Sequence, residues 1–314
     1  MGKVCIIGSY AKAFVMTTDR IPLAGETLMG RDYRGTYGGK GSDMAVQAAR
    51  LGAEVSYIGV VGKDSLGEEF IELMNREGVD LSGLRVTKEA PTGTGFIIKD
   101  VNAKNIITVA GGANDLFSKE DIDRNTDQLE NCDVVLAQLE IPLATSLYAM
   151  KLAKRAGKTT ILNPAPAVDL TGADLSDVDI LTPNETEARV AANVPLDSDL
   201  SDREVADILL QTGCKKVIMT LGEKGAAVFE RDRMTEIAPY RIKVVDSNGA
   251  GDCFNATLSA GLAAGWDLSE SVSYANATAA LCCTRWETIP SYHTAKEVEL
   301  FIRKADQKKG GKIR

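Results

Sequence analysis

The chain contains a single histidine, His293, among 314 residues. With no second imidazole available, His-centred triads and His-rich metal sites drop out, and chemistry must come from carboxylates, lysine, backbone amides or bound ions. His293 itself lies in the polar stretch PSYHTAKE and reads as a surface or capping residue. The six cysteines, at 5, 132, 214, 253, 282 and 283, form no C-x-x-C and no metal-like spacing. Adjacent Cys282 and Cys283 fall in an apolar helical run and read as small buried hydrophobes, a usage that fits a reducing cytoplasm. The N-terminal MGKVCIIGSY holds too short an apolar run for a signal peptide, and no stretch approaches a membrane span. No Lys/Arg block precedes the tail RKADQKKGGKIR, which reads as a frayed, solvated end. With a net charge of −8, neither nucleic acid nor membrane is an expected partner.

What is present is an ordinary globular composition, 44% hydrophobic and 25% charged, in a chain long enough for one large α/β domain. Short β-rich runs alternate with helical patterns: KVCIIGS, then DMAVQAARLG, VSYIGVVG and SLGEEFIELMNREG. Later come CDVVLAQLE, LATSLYAMKLAKRAG, TTILNPAP, VDILTPN, ETEARVAAN and KVIMTLG. This order predicts a mostly parallel sheet with helices on both faces. Residues 25–39 and 92–112 break the alternation and read as strand pairs without helices, the second turning at DVNAKN. They predict a small β-layer, drawn from about 10–39 and 92–112, over the sheet's carboxyl edge where such folds bind ligands.

Two glycine clusters open helices. In VVDSNGAGDCFNATL, a β-type run from Ile242 to Val245 leads into Gly249, Ala250, Gly251 and Asp252. Glycines there let backbone N–H groups approach a phosphate, aided by the helix N-terminus. Asp252 would repel a phosphate, so it is either a helix cap or a general base acting on an attacking hydroxyl. The other cluster, GTYGGKGSDMAVQAARLG, lacks both the Walker spacing and G-x-G-x-x-G. Between the clusters, NPAPAVDL, TPNETEA and TLGEKGA each follow a predicted strand, and Asn184 and Glu187 lie one turn apart at a helix start. They are either a cap with a solvated acid or an amide–carboxylate pair near phosphates and a metal.

The segments GETLMG, GGKG, ARLGAEVSYIGVVGKDSLG, QLEIPL, LNPAPA, TPNETEA, TLGEKGA and GAGD stand here in an order that resembles the ribokinase branch of the phosphofructokinase-B family of carbohydrate kinases. The resemblance runs from Gly8 to about Ser291 and implies one ribokinase-like α/β kinase domain over 1–314. It implies a central mostly parallel sheet, a small β-sheet lid, and a homodimer formed through that lid. By the same resemblance Asp252 is the catalytic base, and Gly249, Ala250 and Gly251 supply the anion hole. Asn184, Thr220, Gly222, Gly225, Gly251 and Asn276 contact ATP, and Glu187 holds Mg²⁺ through water. Asp246, Asn248, Cys282, Arg285, Glu287 and Ser291 surround a monovalent cation, K⁺, mostly through carbonyls. Gly39, Lys40, Asp43, Glu140 and positions 11 and 13 line the sugar site.

Four positions depart from that pattern. Ala11 and Ala13 replace the Asn and Asp of a G-S-x-N-x-D loop, Asp43 replaces the Asn of GGKGAN, and Glu287 replaces a glycine at the cation loop. Each hydrogen bond a sugar hydroxyl fails to make costs roughly 1–3 kcal/mol, which counts against unmodified ribose. Asp43 suits a donor-rich or cationic substituent, or a pair with Lys12. The expected activity is ATP-dependent phosphorylation of a primary hydroxyl on a small sugar-like substrate. A true ribokinase, a nucleoside kinase and a non-catalytic sugar- or nucleotide-binding sensor remain as alternatives.

Overall fold

The computed structural model describes residues 2–101 and 104–310. Its strands are β1 (Lys3–Ile7), β2 (Ala11–Thr18), β3 (Asp32–Gly38), β4 (Glu54–Gly62), β5 (Asp80–Thr87), β6 (Gly93–Asp100), β7 (Asn105–Ala110), β8 (Val134–Ala137), β9 (Thr159–Leu162), β10 (Ile180–Leu181), β11 (Lys216–Thr220), β12 (Ala226–Glu230) and β13 (Arg233–Ile237). Its helices are α1 (Lys40–Arg50), α2 (Ser65–Arg76), α3 (Lys119–Asp123), α4 (Thr126–Glu130), α5 (Leu143–Arg155), α6 (Glu185–Ala191), α7 (Asp202–Gln211), α8 (Ala250–Ala263), α9 (Leu268–Cys282) and α10 (Ala295–Gly310).

Nine strands form the main sheet in the order β13-β12-β11-β10-β9-β8-β1-β4-β5. It is parallel from β11 to β5 and closes with antiparallel β12 and β13. Successive residues of β1 alternate between two cores. Cys5 and Ile7 pack with α3–α7 on one face, while Val4 and Ile6 pack with α1, α2, α8 and α9 on the other. That double burial explains why β1 is a continuous apolar run. Helices α1 and α2 each end just before a glycine in the left-handed region, Gly52 and Gly78, which turns the chain into the next strand.

Four strands form the lid, in the order β3-β2-β6-β7. The pairing corrects the reading of 25–39 as a strand pair. Only β3 lies there, and its antiparallel partner is β2, which runs parallel to β6 on its other side. The pair β6–β7 forms as expected, but residues 102 and 103 of its DVNAKN turn lie outside the described residues. Two faces follow from the register. Ala11, Ala13, Arg34, Thr36, Gly95 and Val109 share one, while Phe14, Tyr33 and Phe96 share the other.

Further expectations change. Residues 242–245 form no strand; Val245 N–H donates to the carbonyl of Cys283 at 2.8 Å. His293 is 1% exposed rather than a surface residue, and burial lowers its pKa. Cys283 is only half buried, unlike Cys282. The tail belongs to α10 as far as residue 310, and residues 311–314 lie outside the described residues. No helix among the described residues is long and apolar enough to cross a membrane.

Candidate active site

Helix α8 begins at the carboxyl edge of the sheet. Gly249 is its N-cap at φ +75°, and a Cβ there would stand 2.7 Å from the Tyr292 hydroxyl, so glycine is required on both counts. A Cβ at Gly251 would meet nothing within 4 Å, leaving open space in front of the first turn. N–H groups of a first turn lack intrahelical acceptors, although that of Ala250 donates to Ser247 O at 3.3 Å. Asn255, not anticipated from sequence, fixes the turn by donating from Nδ2 to Gly251 O at 2.9 Å.

Asp252 lies in this turn, yet its side chain caps nothing. It is 7% exposed, and Oδ1 has no hydrogen-bond partner among the described residues. Lys40 Nζ stands 3.6 Å from Oδ1, an ion pair beyond close hydrogen-bond contact. Burial lifts the carboxyl pKa to about 6; Lys40 opposes the shift, and the negative charges of Glu140 and Glu187 add to it. The Asp252 carboxylate in turn holds the lysine above its ordinary range.

The neighbouring polar groups hang from the ends of β1, β8 and α1. Gly39 caps α1 at φ +95°. Glu140 Oε2 accepts from Ser9 Oγ at 2.6 Å and from Lys40 N–H at 2.9 Å, and Gln138 Nε2 donates to Ser9 Oγ at 2.9 Å. Ser9 and Gln138 lie within the G-S-x-N-x-D loop and the QLEIPL segment, yet the sequence reading gave neither a role. Asp43 is 3% exposed, and burial, followed by the charges of Asp252 and Glu140, raises its pKa. Its Oδ1 accepts from Thr288 Oγ1 at 3.3 Å. The expected pair with Lys12 does not form, because Lys12 bonds Glu69 and lies 4.8 Å over the ring of Tyr37. Lys12 occupies the lid face opposite Ala11 and Ala13, so alternation along β2 directs it away.

Asn184 and Glu187 open α6 as a reciprocal capping box: Asn184 Oδ1 accepts from Glu187 N–H at 2.8 Å and Glu187 Oε2 from Asn184 N–H at 2.9 Å. Thr220 sits beside them, its N–H bonded to Pro183 O at 3.0 Å. Gly222 and Gly225 both have positive φ, and Asn276 is buried with Nδ2 3.4 Å from Ile237 O. Where the sequence resemblance implies a cation loop, the Asp246 carboxylate accepts from Asn248 N–H and Glu287 N–H, each at 3.1 Å. The Cys282 carbonyl accepts from Arg285 N–H at 3.1 Å, and Ser291 Oγ donates to Thr288 O at 2.7 Å. Among the described residues no group of three or more His, Cys, Asp or Glu is arranged to hold a metal ion.

A buried carboxylate with a raised pKa, paired with a lysine at a helix start, is a candidate acid–base group. The pfkB family carbohydrate kinase pattern matches residues 1–295. The chain is 34% identical over 300 residues to the ribokinase of Haemophilus influenzae, covering 96% of this chain and 98% of that one. To the deoxyribokinase of Salmonella typhi it is 31% identical over 300 residues, covering 95% and 98%. It superposes on Arabidopsis thaliana ribokinase, complexed with ribose and ATP, with a TM-score of 0.85 at 28% identity, covering 96% and 99%. The chain belongs to the pfkB family of carbohydrate kinases, and is an ATP-dependent sugar kinase with an alcohol group as acceptor.

Proposed function

We propose that this kinase transfers the γ-phosphoryl group of ATP to a primary hydroxyl of a small sugar-like substrate, with Asp252 as general base. The unpartnered Oδ1 of Asp252, beside Lys40, carries the reading. With a pKa near 6, Asp252 is ionised at neutral pH and still basic enough to take the hydroxyl proton as attack proceeds. The N–H groups of Gly249 to Gly251 and the α8 dipole meet the charge spread over the transferred oxygens, where the space before Gly251 leaves room. Lys40 keeps the base oriented and offsets its charge. Glu187, with Asn184, would hold Mg²⁺ through water, and that ion would neutralise nucleotide phosphate charge. Thr220, Gly222, Gly225 and Asn276 would line the nucleotide. The K⁺ reading rests on the resemblance, since both Asp246 oxygens are already engaged by backbone N–H groups.

On the acceptor side, Gly39, Lys40, Asp43 and Glu140 would hold hydroxyls, while Ala11, Ala13, Gly95 and Val109 present apolar atoms from the lid and the polar Arg34 and Thr36 of that face are engaged by Glu287. This supports an acceptor that lacks a hydroxyl on its lid-facing side. ADP release from ATP across ribose, 2-deoxyribose, other pentoses and nucleosides tests the reading. Ribose is expected to trail the best acceptor by at least about 10-fold in kcat/KM, and Ala11→Asn with Ala13→Asp to narrow the gap. Equal use of ribose by wild type and double variant would favour a true ribokinase, and no turnover on any acceptor a binding sensor.

The whole chain reads as one kinase domain, and the free cysteines, five of them buried, accord with a reducing cytoplasm. A homodimer through the lid is supported by its outer face, where Phe14 stacks between Tyr33 and Phe96 and Phe96 is 58% exposed. Sedimentation should give twice the chain mass, reduced to one by Phe96→Glu; a monomeric wild type would end this reading.

A further inference from the structure

Glu287 carries its side chain at φ +70°, where glycine is at home and a glutamate is strained. The strain accompanies a set of contacts that no glycine could make. Oε1 lies 2.8 Å from Arg34 Nη1, and Oε2 accepts from Thr36 Oγ1 at 2.9 Å. Both partners are on lid strand β3, on the face shared with Ala11 and Ala13. Beside it, Lys99 of β6 places Nζ 4.3 Å over the ring of Trp286, and Thr288 Oγ1 reaches Asp43. The Glu287 backbone points the other way, its N–H donating to Asp246 Oδ2. Asp246 also receives Asn248 N–H and so shapes the turn that leads into Gly249 and Asp252.

We infer that Glu287 is a positioning residue that latches the lid to the loop before the catalytic helix, holding β3 over the acceptor while its backbone braces the Asp246 turn. Side chain and backbone act on separate parts, so they can be separated by substitution. Glu287→Gly removes the latch, relieves the strained backbone and keeps the N–H to Asp246. The kinetic arm rests on the kinase reading; amide exchange in β3 does not.

The test compares Glu287→Gly, Glu287→Gln and Arg34→Ala with the wild type, using 2-deoxyribose and ATP, alongside hydrogen exchange in residues 32–38. Glu287→Gly is expected to raise the acceptor KM roughly 5- to 30-fold, with a much smaller change in kcat, and to speed β3 exchange by a similar factor. Glu287→Gln, which keeps the bond to Thr36 but not the charge, should fall between. Arg34→Ala should reproduce Glu287→Gly, and the double variant should be no worse than either alone. Unchanged β3 exchange in Glu287→Gly would overturn the latch whatever the kinetics. So would a loss confined to kcat, which would place the carboxylate at the reacting atoms. A wild type that turns over no acceptor would count against the kinase reading, and exchange in β3 would still decide the latch.

Discussion

Asp252→Asn is expected to lower kcat by about 10²- to 10⁴-fold, the range lost with a general base, while acceptor and ATP binding change little. An amide keeps the shape of the side chain but cannot take the hydroxyl proton. Steady-state kinetics with ADP detection reads the effect, and turnover surviving the substitution would remove Asp252 from the mechanism. The same residue sets a pH dependence. Because the base works ionised and its pKa is lifted to about 6, kcat/KM should fall on the acid side below about pH 6. Lys40 lowers that pKa, so Lys40→Met should move the acid limb to higher pH. For stability the sign is opposite to that of a surface carboxylate. The folded protein takes up this proton more readily than the unfolded chain, so the contribution is fully present below about pH 4 and lost as pH rises through 6. At pH 7.5 the Asn variant should therefore melt no lower than the wild type.

Gly39→Ala is expected to destabilise the fold by about 3 kcal/mol or more. Gly39 holds φ +95°, and a Cβ would sit 2.8 Å from both Ala11 N and Tyr10 Cα. Nothing flexible can move aside, since both neighbours are backbone at the root of the lid. The cap of α1, the register of β2 and the position of Lys40 would shift together. Thermal or denaturant unfolding measures the loss, and a variant that melts with the wild type would show that this turn tolerates a side chain. Gly52→Ala is the useful contrast: its φ is also positive, at +92°, but a Cβ there meets nothing within 4 Å, so only the backbone penalty applies.

Much of this was legible in the sequence because it is written in local patterns. Alternating strand and helix periods mark the parallel sheet, and the glycine turns before α1 and α8 mark the two helix starts that meet at Lys40 and Asp252. The misreadings share a different origin. Residues 25–39 look like a hairpin, but β3 finds its partner in β2, a pairing decided by the lid's overall assembly. His293 sits in a polar stretch yet is buried by α1 and α9 contacts: its backbone N–H and carbonyl bond Gln47, and its ring reaches Leu281 O. Asp43 has a partner 245 residues away in Thr288, while nearer Lys12 is turned aside by strand alternation. No window of sequence carries such long-range choices, and they concern the proposed acceptor site most, because lid, α1 and the 284–288 loop meet around Asp43 and Thr288.

The position of β1 has a consequence for how the protein is made. It is synthesised before both of its neighbours, β4 and β8, and Val4 pairs with Val134. At about 5–20 residues per second, some 130 residues of translation separate the two, a delay of roughly 7–26 s. During that interval one edge of β1, apolar from Val4 to Ile7, lacks its neighbour. That edge stays unpaired until β8 has emerged, and slow codons before β8 would lengthen its exposure.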